Sequence, residues 1–179
     1  GFIAPIYTVT GWNSASGAKI PVDEVVPVFG GYCEAPWENH MNRLSPSPHY
    51  FFNRMRNDSA IGTDLIAKTQ SDGWQLPYER YPFATCELGG GIEVTHHRRP
   101  IIKPMDIYAV SLVKLGDGNN LVGYYMYHGG TNKIGELSTF NETKATGYPN
   151  DYPILSYDFQ APLSEYGEVR EQYGLLNML

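Results

Sequence analysis

The stretch ATCELGGGIEV, residues 84–94, decides how the rest of this chain is read. A β-prone run, Tyr81-Pro82-Phe83-Ala84-Thr85-Cys86, ends on a carboxylate, Glu87, and Gly89, Gly90 and Gly91 follow almost at once. A strand that delivers an acidic side chain to its tip places it well for a ligand. An ion pair with Arg80, Arg98 or Arg99 would account for the same carboxylate structurally, and the residues alone leave both readings open. The glycines do not form a phosphate cradle, because GGGIEV lacks the G-x-G-x-x-G spacing and no helix pattern follows it.

Working outward, Ile3 to Thr10 (IAPIYTVT) is rich in β-branched and aromatic residues and reads as a buried strand ending at Gly11. Pro21 to Phe29 (PVDEVVPVF) reads as a short helix opened by proline and acidic residues and closed by Gly30-Gly31. Cys33 to Ser59 is loop-like, with a helical turn expected in YFFNRMRND, residues 50–58. Pro104 to Leu115 is the clearest helix. Pro104 suits its first turn, Asp106 its positive end, Ile107, Val110, Ser111 and Lys114 recur at helical spacing, and Gly116 closes it. Asn120 to Tyr127 is a third strand running into His128-Gly129-Gly130-Thr131-Asn132, and a long polar loop spans Lys133 to Pro153. A final helix is expected over Ser164 to Leu179. Strands alternating with helices predict an α/β fold of parallel β/α units, with chemistry at the carboxyl ends of the strands. Those ends carry Gly11-Trp12-Asn13, Glu87 with its glycines, and His128 to Asn132. Three units are too few for a closed barrel, which needs eight strands and about 250 residues.

Composition narrows the function. With 42% hydrophobic and 18% charged residues, the 179-residue chain can build a sizeable core. A net charge of −6, with no basic block beyond Arg98-Arg99, argues against nucleic acid as a partner. No apolar run approaches membrane-spanning length. The 14 tyrosines suit a wet, partly apolar surface such as a sugar site, although core packing accounts for many of them. Cys33 and Cys86 define no disulfide framework. The start at Gly1-Phe2-Ile3, already in strand-like sequence, is read as a start within a larger protein, so a missing signal peptide says nothing of secretion. Asn57-Asp58-Ser59 and Asn141-Glu142-Thr143 fit the glycosylation sequon, a three-residue pattern that often arises by chance. His96-His97 invites a metal reading, but adjacent histidines on extended chain point apart and no third ligand is suitably spaced. No G-x-S-x-G elbow is present. Glu34 and Glu38, around Trp37, form a second carboxylate group whose loop position suits a solvated or substrate-lining surface.

Three segments, TCELGGG, VGYYMYHGGTN and SYDFQAPLSEYGE, occur in the order and spacing found in the family 35 glycoside hydrolases, the β-galactosidases, and the resemblance spans Tyr7 to Tyr173. It implies part of a (β/α)8 TIM barrel over residues 1–179, roughly strands six to eight, with the N-terminal half absent. It also implies a retaining β-galactosidase acting on galactose-terminated oligosaccharides or glycoconjugates without metal or organic cofactor. On that scheme Glu87 is the nucleophile, and the glycines leave room for the sugar. Tyr125 in YYMY and Tyr157 in SYDF match the family's galactose-contacting tyrosines. Retaining hydrolysis uses a pair of carboxyl groups. The family's acid/base motif, Asn-Glu-Tyr-Gly, does not occur here, so the chain is expected to supply half of the pair. Where animal and plant members carry a W-x-G-W type segment after the nucleophile, this chain has Leu88-Gly89-Gly90-Gly91-Ile92. Open sheet edges are expected to pair with the rest of the barrel or with another copy. The alternative is a non-catalytic carbohydrate-binding or structural module in which Glu87 only ligates sugar hydroxyls.

Overall fold

A parallel sheet with strictly consecutive strand order organises the protein. The computed structural model describes residues 1, 3–9, 24–36, 45–56, 58, 78–95, 98–137 and 155–179. Within them β1 (Tyr7–Val9), β2 (Val26–Gly31), β3 (Ala84–Gly89) and β4 (Leu121–Tyr125) form one sheet in the order β1-β2-β3-β4, every pair parallel. A helix, α1 (Pro104–Gly116), joins β3 to β4. Consecutive order without reversal is how a barrel wall is wound; a doubly wound sheet reverses direction at a switch point. A two-stranded antiparallel ribbon, β5 (Gly130–Thr131) with β6 (Ser156–Tyr157), and a short helix, α2 (Glu171–Leu176), follow.

Among the described residues the sheet has four strands where three were expected, because Val26–Gly31 is a strand and not the end of a helix. Pro27, Val28 and Phe29 are all buried, so this strand is covered on both faces. Such strands read as continuous apolar runs without alternation. The first strand is shorter than expected, and β3 runs on through Glu87 to Gly89. In place of a helical turn over residues 50–58 there is a single 3-10 turn, Pro48–Tyr50, capped by the Ser47 side chain. The final helix covers only Glu171–Leu176, because the Ser164 hydroxyl accepts the backbone N–H groups of Glu168 and Tyr166 and holds the chain in turns there.

The helix α1 matches its sequence reading. Pro104 lies in the first turn, and the Asp106 carboxylate accepts the Lys103 N–H at 2.9 Å while its other oxygen takes the Tyr50 hydroxyl at 2.9 Å. Ile107, Val110, Ser111 and Lys114 form its buried stripe. Ile107 and Val110 pack with Leu88 and Cys33 in a cluster that also gathers Val122, Tyr124 and Leu176, the helix-facing core. A second cluster, Tyr32, Phe159 and Ala161 with Tyr125, Met126 and Tyr157, gathers the residues that follow β2, those at the end of β4 and those at and after the end of β6.

Among the described residues the sheet ends at β1 on one side and β4 on the other, with Tyr7 and Leu121 exposed. No described helix is long and apolar enough to cross a membrane.

Candidate functional site

The position of Glu87 is set by an irregularity in its own strand. From Thr85 to Leu88 the chain takes three steps along β3, whereas the paired residues of β4, Val122 to Tyr124, take two. On the other side Thr85 and Glu87 pair with the adjacent residues Phe29 and Gly30 of β2. The strand β3 thus carries one residue more than either neighbour over this stretch. A bulge of this kind re-aims a side chain and is common beside functional sites. The Thr85 hydroxyl anchors it by accepting the Gly123 N–H at 3.2 Å.

Glu87 is only 6% exposed. Its partner among the described residues is the Tyr32 hydroxyl, which donates to Oε1 at 2.5 Å, and not an arginine. Arg98 is instead paired with Glu34. Burial pushes the Glu87 carboxyl up to about 7, against the lowering effect of the Tyr32 hydrogen bond. The Tyr32 hydroxyl is itself driven upward, by burial first and the neighbouring Glu87 charge second, so it stays a neutral donor. Burial also raises the thiols of Cys33, to about 12, and Cys86, to about 11.

A cavity of about 330 Å³ opens onto Glu87, lined by Tyr32, Pro36, Glu87, Glu93, Tyr125, Tyr157 and Phe159. Its size falls in the range of small-molecule sites, and its aromatic walls with a few converging polar groups are the usual composition of one. The three expected residues, Glu87, Tyr125 and Tyr157, therefore share one cavity. The Tyr125 and Tyr157 hydroxyls lie 3.1 Å apart. Phe159 stands at the centre of the wall, edge-on to Tyr125 at 5.4 Å between ring centroids and tilted against Tyr157 at 5.5 Å and Tyr32 at 6.2 Å. Both Phe159 and Gln160 adopt left-handed backbone, with φ of 58° and 51°. Each such residue costs on the order of 1–3 kcal/mol and persists only where its surroundings enforce it.

The three glycines after Glu87 do a different job from the one expected. A Cβ on Gly89 would overlap the Tyr32 ring, one on Gly90 the Met126 carbonyl, and one on Gly91 the Phe159 carbonyl. They admit protein, bringing the ends of β2 and β4 and the turn at Phe159 close around the carboxylate, rather than leaving space for a sugar. Tyr32, Phe159 and Glu93 were not singled out from the sequence. Tyr32 was hidden by reading β2 as a helix, since a strand ending at Gly31 would have placed the next residue at the functional end of the sheet.

Glu34, expected as part of a second carboxylate group, is held by Arg98, while Glu38 lies outside the described residues, as do Gly11-Trp12-Asn13, His96-His97, Asn57 and Asn141-Glu142-Thr143. Among the described residues no group of three or more His, Cys, Asp or Glu side chains could hold a metal ion.

Residues 22–179 match the model of the glycosyl hydrolases family 35. Beta-galactosidase 3 of Oryza sativa subsp. japonica is 41% identical over 86 residues, which is 48% of this chain and 9% of that protein. Beta-galactosidase 10 of Arabidopsis thaliana is 39% identical over 66 residues, 36% of this chain and 7% of that protein. The matched region is thus a small fraction of either relative's length.

Proposed function

Because the chain belongs to glycoside hydrolase family 35, a TIM-barrel family, we propose that it forms the nucleophile-bearing part of the catalytic barrel of a retaining β-galactosidase. The observation that carries this reading is the setting of Glu87: a buried carboxylate on an interior strand of a parallel sheet, opening onto a tyrosine-lined cavity. If β3 is the seventh strand of the barrel, the four strands are five to eight.

The chemistry follows from the geometry. Tyr32 occupies Oε1, which leaves Oε2 to attack the anomeric carbon of a terminal β-galactoside. Ionised Glu87, little exposed to water, then faces the positive charge that develops on the sugar ring, where a low dielectric strengthens the attraction. Tyr125 and Tyr157 offer paired phenols to the sugar hydroxyls, and Phe159 fixes both rings. The acid that protonates the leaving oxygen comes from a carboxyl about 5–5.5 Å from the nucleophile. We assign it to a part of the protein outside residues 1–179. Water then releases galactose from the covalent intermediate.

A 2-fluoro galactoside with a good leaving group tests this reading, since it forms the intermediate and releases it slowly. Incubation with the complete protein should halt galactosidase activity and add one sugar to the peptide containing Glu87, detected by mass spectrometry. Labelling of another carboxylate in an active preparation would remove Glu87 as nucleophile.

A further inference from the structure

The segment that follows the nucleophile strand, residues 92–102, is tied at both ends to one side chain. The Gln160 amide nitrogen donates to the Ile92 carbonyl at 3.3 Å and to the Pro100 carbonyl at 3.0 Å, while its amide oxygen accepts the Ile102 N–H at 3.2 Å. One glutamine thereby bridges Ile92 to Pro100 and Ile102 across the turn that carries the aromatic wall. Gln160 is itself fixed from behind. Its N–H donates to Asp158, its carbonyl accepts from Gln172 at 2.8 Å, and its left-handed backbone lies against Gly91, where a Cβ would overlap the turn. The far side of the same segment is held by Arg98 through its ion pair with Glu34, two residues from Tyr32 and two from Pro36.

These ties lie close in sequence to several of the residues that line the cavity. Glu93 stands at the start of the clamped segment, Phe159 adjoins Gln160 with Tyr157 two residues further back, and Tyr32 and Pro36 flank Glu34, the partner of Arg98. Glu87 does not depend on the clamp, since it sits on β3 and is held by strand pairing and by Tyr32. The β3 backbone that carries the nucleophile and the Tyr157–Phe159 wall are therefore positioned by different sets of bonds, with Tyr32 common to both.

We propose that Gln160 is a positioning residue for substrate: its three side-chain hydrogen bonds set the spacing between the Glu93 segment and the Tyr157–Phe159 wall, and so the fit of the sugar, without touching the chemical step. The proposal rests on the galactosidase reading. It separates binding from chemistry, which a purely structural role would not do.

Two variants of the complete protein test it. Gln160→Gly removes the amide and accepts the left-handed backbone without strain. Gln160→Glu keeps an acceptor for Ile102 but turns a carboxylate toward the Ile92 and Pro100 carbonyls. With a chromogenic galactoside, both should raise KM about tenfold while kcat stays within about threefold of wild type. Affinity for a non-hydrolysed galactose-configured inhibitor should fall in parallel, and hydrogen exchange at the Ile102 amide should accelerate in Gln160→Gly. Unchanged KM and inhibitor affinity in a folded Gln160→Gly protein would overturn the proposal. So would a fall in kcat at constant KM, which would place Gln160 in the chemical step. A wild-type protein that cleaves no galactoside sinks the catalytic reading instead. Exchange at Ile102 then decides the clamp alone, and unchanged rates overturn it.

Discussion

Glu87 and Asp158 are carboxylates close to the same cavity, one lining it and the other between two residues that do, yet their surroundings drive them in opposite directions. Glu87 is buried with one phenol for company, and burial lifts it to about 7. Burial also works against Asp158, but the Glu165 N–H at 2.8 Å, Arg170 at 2.7 Å and the Gln160 N–H outweigh it and hold that carboxyl below its usual range. A carboxylate supplied with donors on every side is committed to structure. One left short of donors keeps an oxygen that a substrate can use. Groups whose environments push their protonation apart in this way divide labour between them.

The sharpest test of that division is Glu87→Gln, which keeps an oxygen for the Tyr32 hydroxyl. In the complete protein, turnover should fall by orders of magnitude while galactose binding largely survives. Folding should respond with the opposite sign. The Glu87 carboxyl is raised on folding, so between its ordinary value and about 7 the unfolded chain releases a proton that the folded one keeps, and stability falls as pH rises through that window. Glu87→Gln should therefore melt higher than wild type above pH 7 and match it near pH 4. Near-normal turnover, or a destabilised variant at pH 8, would break the comparison from the Glu87 side.

Asp158→Asn probes the other half. It exchanges a charged acceptor of three hydrogen bonds for a neutral one and should cost about 2 kcal/mol at neutral pH, read by denaturant unfolding. Because the Asp158 carboxyl is lowered on folding, its contribution is present above its unfolded value and disappears as pH falls through the folded one. The deficit should accordingly shrink under acid conditions. A variant as stable as wild type at pH 7 would show that the turn is held by something else.

The smallest effect belongs to Tyr32→Phe. Removing the one hydrogen bond that favours ionised Glu87 should move the acid limb of kcat/KM to a pH above about 7, with activity retained on the alkaline side. An acid limb that stays in place would mean that Tyr32 packs against the carboxylate without tuning it.

How much of this was legible depended on what each residue's signal was made of. Pro104 and the stripe from Ile107 to Lys114 declare α1 through local rules, and structure and sequence agree almost residue for residue. Glu87 stood out because a carboxylate ending an apolar run is anomalous wherever it occurs. The strand β2 was not legible, since Pro21, Asp23 and Glu24 imitate a helix start and Pro27 argues against an interior strand. Only burial on both faces, a tertiary fact, settles it. Tyr32 went unseen with it. Phe159 and Gln160 were quoted within SYDFQ, but their left-handed backbone is imposed by partners as far away in sequence as Gly91 and Ile92, which no local pattern encodes.

The bulge in β3 has a consequence for which changes the gene can tolerate. Substitutions between Thr85 and Leu88 alter what stands at the site, whereas a gain or loss of one residue alters where it stands. Strand faces alternate with every residue, so deleting one position there would restore even pairing with β2 and β4 and rotate the chain beyond it by one place. The carboxylate would then no longer be presented as it is, although every side chain needed for the site would still be encoded. Its address is written in the length of the strand as much as in its chemistry, and this stretch should accept altered letters more readily than an altered count.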